Sequence, residues 1–221
     1  MRSFIFDFNG TLFQDTPMHL HAWRTFFERH EVRITDGQFY DSMCGPPNTA
    51  IIRQFLGCNL SDTELAALSE EKEALYRQIV MDDEANRALT PGAPEMLDMM
   101  AKRGVPFAIA TGSDRANCEF YMRALGIGRW FDFSRIFYAV EGVPGKPDPA
   151  IYRLAMAKMG YSPGETIVVE DGLAGVHSAI CAGVQNVIAI DTTLGADAFA
   201  GIPEVKHVIH DFCSFEHFID Q

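Results

Sequence analysis

The chain has 221 residues, 48% of them hydrophobic and 22% charged, with eighteen basic against thirty acidic side chains and a formal charge of −12. That balance excludes a disordered or fibrous polypeptide and leaves room for one α/β domain with an inserted module. It also argues against a nucleic-acid partner, which needs an extended basic surface to neutralise phosphates. No apolar run approaches the roughly 20 residues of a membrane span, so no membrane partner is expected. Cys44, Cys58, Cys118, Cys181 and Cys213 are odd in number and lack a C-x-x-C pair. They read as buried filler in a protein of a reducing cytoplasm, not as a disulfide or zinc framework.

In chain order, residues 3–8 form a short apolar run that predicts a buried strand, so no secretory signal is expected. Residues 15–89 contain no convincing strand and predict helices over 18–29, 49–56 and 60–80. The last of these opens on Ser61 with Glu64 three residues on, a capping box. Beyond them, helix and strand patterns alternate: a helix over 93–103, a strand over 105–110, helices over 115–125 and 150–159, and a strand over 166–170. A helix over 174–182, a strand over 186–190 and a weaker strand over 207–209 follow. Pro91-Gly92 and Pro163-Gly164 punctuate this series as turn chemistry would. The pattern predicts an α/β fold: a doubly wound parallel, Rossmann-like sheet core from residues 1–14 and 90–221, with an all-helical insert at 15–89. No G-x-G-x-x-G follows a strand, so a nicotinamide site is excluded.

In such a sheet, ligands bind beyond the carboxyl ends of the strands. Asp7 follows the apolar run Phe4-Ile5-Phe6, where a carboxylate can attack phosphorus or coordinate a cation. The strand over 105–110 empties into Thr111-Gly112-Ser113, whose hydroxyls and glycine suit an anion. The strand over 166–170 ends in Glu170-Asp171-Gly172. Adjacent acids repel unless a cation lies between them, which implies a hard metal such as Mg²⁺. Between these segments, Gly145-Lys146-Pro147-Asp148-Pro149 holds one positive charge between two rigid prolines. Each feature has a plainer alternative: Asp7 as a structural acid, Glu170-Asp171 as solvated, Thr111 as a helix start, and His19 as a surface residue. Lys72, within Glu70-Glu71-Lys72-Glu73, has the alternative of a solvated helix face with local ion pairs.

Taken in order, D-x-x-G-T, the strand-terminal Thr, G-K-P and E-D-G resemble the HAD (haloacid dehalogenase-like) superfamily along the whole chain. The insert looks like the C1 cap of the β-phosphoglucomutase and phosphoglycolate-phosphatase branch. Asp15-Thr16-Pro17-Met18-His19 with Trp23 is similar to that branch's cap entry, and Lys72 with Tyr76 to its cap K-x-x-x-Y. The resemblance implies a Mg²⁺-dependent hydrolase of a small phosphorylated metabolite, with Asp7 as the nucleophile that forms an aspartyl-phosphate. It implies Mg²⁺ held by Asp7, the Asn9 backbone carbonyl and Asp171, with Glu170 close by. Thr111 and Lys146 would bind the transferring phosphoryl group, with Gly112 and Ser113 beside them, and His19 and Lys72 would contact substrate from the cap. Cap closure about hinges at 13–16 and 86–92 would exclude water.

One position departs from the family pattern. Two residues after the nucleophile, the phosphatases and mutases carry a second aspartate that serves as general acid and base; here it is Asn9. An amide can donate a hydrogen bond but cannot shuttle a proton at neutral pH, and losing such help costs about 10²–10⁴-fold. Three readings stay open: slow turnover or a preference for good leaving groups, chemistry that does not want the proton, or binding without turnover. A phosphonatase is disfavoured because residues 43–48 contain no lysine, and a dehalogenase because the metal-type acid pair is intact. A mutase is disfavoured because Asn48 stands near its phosphate-gripping arginine, with Arg53 a turn further on. A phospho-accepting receiver module is disfavoured by the helical insert and by a nucleophile on the first strand.

Overall fold

The computed structural model describes residues 2–140, 142–192 and 194–219. In chain order its strands are β1 (Ser3–Phe6), β2 (Phe107–Ala110), β3 (Ile136–Phe137), β4 (Thr166–Glu170), β5 (Asn186–Ile190) and β6 (Val205–Ile209). The helices are α1 (Thr16–Arg29), α2 (Asp36–Ser42), α3 (Asn48–Leu56), α4 (Asp62–Asp82), α5 (Ala93–Arg103), α6 (Arg115–Ala124), α7 (Ala150–Met159), α8 (Leu173–Cys181) and α9 (Glu216–Ile219). The chain divides into two compact units, Met1–Gln14 with Ala88–Gln221 and Asp15–Arg87.

The first unit is built on a parallel sheet with strand order β3-β2-β1-β4-β5-β6. Pairs such as Ile5↔Ala108 and Ile5↔Val168 set the register on either side of β1. β1 and β4 are buried along their whole length, which only continuous apolar runs covered on both faces can sustain. Phe4 and Phe6 pack against Phe212 and Phe215 at ring separations of 5.7–6.0 Å. Ile5 belongs to a separate cluster with Ala108, Val168, Val187, Tyr152 and Val176, the alternation that a pleated strand imposes. The order reverses at β1, since the chain moves outward through β2 and β3 and then returns to place β4 on the other side. The carboxyl ends of β1 and β4 therefore lie at the topological switch point, where open α/β sheets bind ligands.

The second unit is helical. Trp23, Phe26 and Phe27 on α1 sit at i, i+3 and i+4 and join Phe39, Met43, Ile51, Ile52 and Leu65 in one core, the stripe an amphipathic helix buries. The Ser61–Glu64 capping box of α4 is present.

The architecture is the expected α/β one, with four corrections. Strand β1 stops at Phe6 rather than at residue 8, because after Asp7 the chain folds into a turn in which the Phe8 carbonyl accepts from the N–H groups of Thr11 and Phe13. The sequence reading missed α2, whose only buried residue is Phe39 and which rests on a Thr35–Gln38 capping box. It also missed β3, which has two residues. Four of the five cysteines, Cys44, Cys58, Cys181 and Cys213, are exposed instead of buried, and only Cys118 is core.

Gly92 caps α5 at φ 79°, and a Cβ there would collide with the backbone of Phe212 and Cys213. Gly104, at φ 67°, has open space around it. Both alanine variants carry the left-handed penalty of about 1–2 kcal/mol, but only Gly92→Ala adds a backbone collision. Thermal denaturation is expected to show Gly92→Ala well below Gly104→Ala in Tm. Equal losses would mean that the 212–213 segment yields freely.

Candidate active site

Four segments of the first unit converge at the switch point. Asp7 follows β1 with its N–H still bonded to the Val169 carbonyl at 2.9 Å. Lys146 Nζ donates to Asp7 Oδ1 at 2.6 Å, to Glu170 Oε1 at 2.5 Å and to the Ala110 carbonyl at 3.0 Å. One ammonium thus ties together the ends of β1, β2 and β4. Glu170 has both oxygens engaged: Oε1 also accepts from the Tyr152 hydroxyl at 2.7 Å, and Oε2 accepts from the N–H groups of Asp171 and Gly172 at 3.1 and 3.2 Å. Asp171 takes the Thr11 hydroxyl on Oδ1 at 3.1 Å.

Two glycines are there because carboxylates need their space. A Cβ on Gly10 (φ 76°) would strike the Asp171 carboxylate, and one on Gly175 would strike that of Glu170. The Thr192 hydroxyl fixes the Gly10 carbonyl at 2.6 Å.

The local charge is unbalanced. Oxygens of Asp7, Glu170 and Asp171 lie within 4.8 Å of one another, and Lys146 is the only lysine bonded to them among the described residues. Burial pushes the Asp7 carboxyl up, Lys146 pulls it back and Glu170 pushes again, leaving it near 7. Burial, followed by Glu170 and Asp7, drives Asp171 well above the carboxylate range. Lys146 is raised despite burial, because Asp7 and Glu170 favour its charged form. Three hard oxygen donors short of positive charge are what a divalent cation relieves, so the cluster could hold a metal ion.

Asn9, half-buried, faces the hydroxyls. Its Oδ1 accepts from Ser113 Oγ at 2.7 Å and from Thr111 Oγ1 at 3.2 Å, and its Nδ2 donates to the Tyr121 hydroxyl at 2.9 Å. Gly112 is exposed between these hydroxyls, with open space where a Cβ would stand. The structure thus brings Asp7, Asn9, Thr111, Gly112, Ser113, Lys146, Glu170 and Asp171 to one end of the sheet.

His19 and Lys72 meet each other inside the helical unit. The plainer alternative for Lys72, a solvated helix face, does not hold: it is 1% exposed. Its ammonium bonds His19 Nδ1 at 2.9 Å and Glu73 Oε1 at 2.8 Å, and lies 5.0 Å from the centre of the Trp23 ring. Asn48 Nδ2 donates to the same Glu73 oxygen at 2.7 Å, the His19 ring stacks on Tyr76 at 3.9 Å, and Tyr76 bonds Asp15. Burial would raise Glu73, but Lys72 and then His19 bring it down to about 2.

Sequence reasoning missed Thr11, Tyr121, Tyr152, Gly175 and Thr192. Only Thr11 stood inside a quoted motif. The two tyrosines lie on helices, where their apolar rings read as core.

The sequence model of the haloacid dehalogenase-like hydrolases matches residues 1–183. The chain belongs to that family. Among characterised relatives, hexitol phosphatase A of Escherichia coli K12 is 30% identical over 95% of this chain and 90% of its own length. Fructose-1-phosphate phosphatase YqaB of the same organism is 28% identical over 86% and 95%. A crystal structure of a family IA, variant 3 HAD hydrolase from Entamoeba histolytica superposes with a TM-score of 0.90 at 33% identity, over 100% of this chain and 98% of that one. Among the described residues no helix is long and apolar enough to cross a membrane.

A carboxyl raised from 3.8 to about 7 contributes stability below its unfolded value and loses it as pH rises through its folded one. Without divalent metal, the Tm of the wild type is therefore expected to fall between about pH 4 and 7. Asp7→Asn should flatten that slope, and parallel slopes would contradict the burial of charge at Asp7. Glu73 has the opposite sign, with its contribution present above 4.5 and lost as pH falls towards 2. Glu73→Gln, which strands the Lys72 charge, should cost about 3 kcal/mol in urea titration at pH 7, and the difference should shrink in acid.

Proposed function

We propose that this protein is a Mg²⁺-dependent phosphatase of small phosphorylated metabolites, sugar or organic-acid phosphates, working through an aspartyl-phosphate at Asp7. The observation that carries the reading is the Lys146 ammonium, 2.6 Å from Asp7 Oδ1 and fixed from behind by Glu170. It neutralises charge where a phosphoryl group would lie against the carboxylate. Two relatives that act on carbohydrate phosphates, by their names, support the substrate class.

In this mechanism an Asp7 oxygen attacks phosphorus, and the ester oxygen departs with the bonding electron pair. Water then cleaves the acyl-phosphate to release phosphate and restore the carboxylate. Lys146, Thr111 and Ser113 supply donors for the phosphoryl oxygens, and phosphoryl transfer depends mainly on such positioning and charge cancellation. Mg²⁺ would be held by Asp7, the Asn9 backbone carbonyl and Asp171, where it supplies charge neutralisation and orientation. Glu170, whose oxygens are both engaged, anchors Lys146 beside it. The helical unit, through His19, Lys72 and their neighbours, selects the substrate.

Asn9 cannot protonate the leaving group, so the best substrates are those whose leaving groups need no proton. Its engagement with three hydroxyls also favours a second reading, a protein that binds phosphorylated ligands with little turnover. Both are decided by Mg²⁺-dependent phosphate release from the wild type, Asn9→Asp and Asp7→Asn, each with an alkyl and an aryl phosphate. Asn9→Asp is expected to gain about 10²–10⁴-fold on the alkyl ester and far less on the aryl ester, and Asp7→Asn to be inactive with both. Equal gains on both esters would refute the leaving-group account, and a wild type inactive on every ester would leave the binding reading.

A further inference from the structure

The hydroxyls of Thr111 and Ser113 are the donors that the proposed mechanism assigns to phosphoryl oxygens, yet both already point at Asn9 Oδ1, at 3.2 and 2.7 Å. The amide is held from its other end. Its Nδ2 donates to the Tyr121 hydroxyl at 2.9 Å, and that hydroxyl lies 3.2 Å from Ser113 Oγ. With Ser113 donating to Asn9 and Asn9 donating to Tyr121, the phenolic proton is directed to Ser113, and the three groups close a ring of hydrogen bonds. Tyr121 is itself fixed, 1% exposed, with its ring stacked on Phe8 at 4.4 Å. Phe8 lies between Asp7 and Asn9 in the chain, so one tyrosine braces both the backbone and the amide of this turn.

We propose that the Asn9 carboxamide oxygen is a resident stand-in for a phosphoryl oxygen, and that Tyr121 is the positioning residue that keeps it in place. A carbonyl oxygen bearing partial negative charge satisfies the two hydroxyls. An incoming phosphate, with full charge and Lys146 nearby, takes those donors over and must turn the amide out. Substrate affinity then contains the cost of opening the ring, a conformational tax that falls on binding. A neutral amide suits this exchange, since it satisfies hydroxyls without adding a fourth carboxylate to the cluster of Asp7, Glu170 and Asp171. The proposal rests on the phosphatase reading of the site and adds an occupant and a brace to it.

The test is calorimetric titration of inorganic phosphate, in Mg²⁺, into the wild type, Tyr121→Phe, Asn9→Ala and Lys146→Met. Tyr121→Phe keeps the ring stack on Phe8 and removes only the hydroxyl. It is expected to bind phosphate about three- to tenfold more tightly, the worth of one net hydrogen bond. Asn9→Ala is expected to bind at least as tightly as Tyr121→Phe, and Lys146→Met to lose binding. A residue with a merely structural role would weaken affinity on removal or leave it alone, so a gain is diagnostic. Unchanged or weaker binding in both Tyr121→Phe and Asn9→Ala, with wild-type binding intact and lost in Lys146→Met, would overturn the proposal while sparing the reading of the site. Absence of phosphate binding in all four proteins would sink both.

Discussion

The ammonium of Lys146, shared between Asp7 and Glu170, is the contact on which the rest of the site depends. A buried lysine needs counter-charge to stay ionised, and buried carboxylates need a cation to stay ionised together. Asp7 and Glu170 favour the charged form of Lys146, and Lys146 offsets part of the burial that raises Asp7. Glu170 can serve only because Tyr152 and two backbone N–H groups occupy its remaining acceptor positions, and because Gly175 leaves room for its carboxylate. The third bond of Lys146, to the Ala110 carbonyl, ties this charge pair to β2. Strand ends that would otherwise be separate loops become one rigid rim.

Topology makes that rim available. Because β1 lies centrally, between β2 and β4, the residues that follow the three strands are neighbours without any long excursion of the chain. The tight turn at Gly10 bends the chain against Asp171, and Thr192 pins the turn from β5. Three carboxylates around one ammonium are the physical basis for a divalent cation there, and burial, reinforced by the neighbouring carboxylates, raises both Asp7 and Asp171.

The helical unit holds a second buried polar group of a different kind. Lys72 and Glu73 neutralise each other, and Asn48 and His19 complete the bonding of the pair. Apolar side chains could fill the same volume at no desolvation cost, so such a network is poorly explained by stability. It fixes the orientation of His19 against Tyr76 and of Lys72 against Trp23, which is the service that the proposed role in substrate selection requires.

By itself, the sequence determined the alternation of buried strands and helices, the helical insert after the first strand, and the placement of acids, hydroxyls and a lysine just past strand ends. These are local properties: apolar runs, turn residues and short motifs are legible one segment at a time. Tertiary structure alone decided what those residues touch. That Glu170 serves Lys146, that Lys72 is buried, and that Asn9 is held by Tyr121 all depend on pairs far apart in the chain, 24 residues in the first case and 112 in the last. Tyr121 and Tyr152 could not be singled out in advance, because an aromatic ring on an amphipathic helix satisfies the burial pattern whether or not its hydroxyl has work to do. The short strand β3 and the polar helix α2 escaped for the complementary reason. Their stability comes from neighbours and a capping box, and their own sequences carry almost no periodic signal.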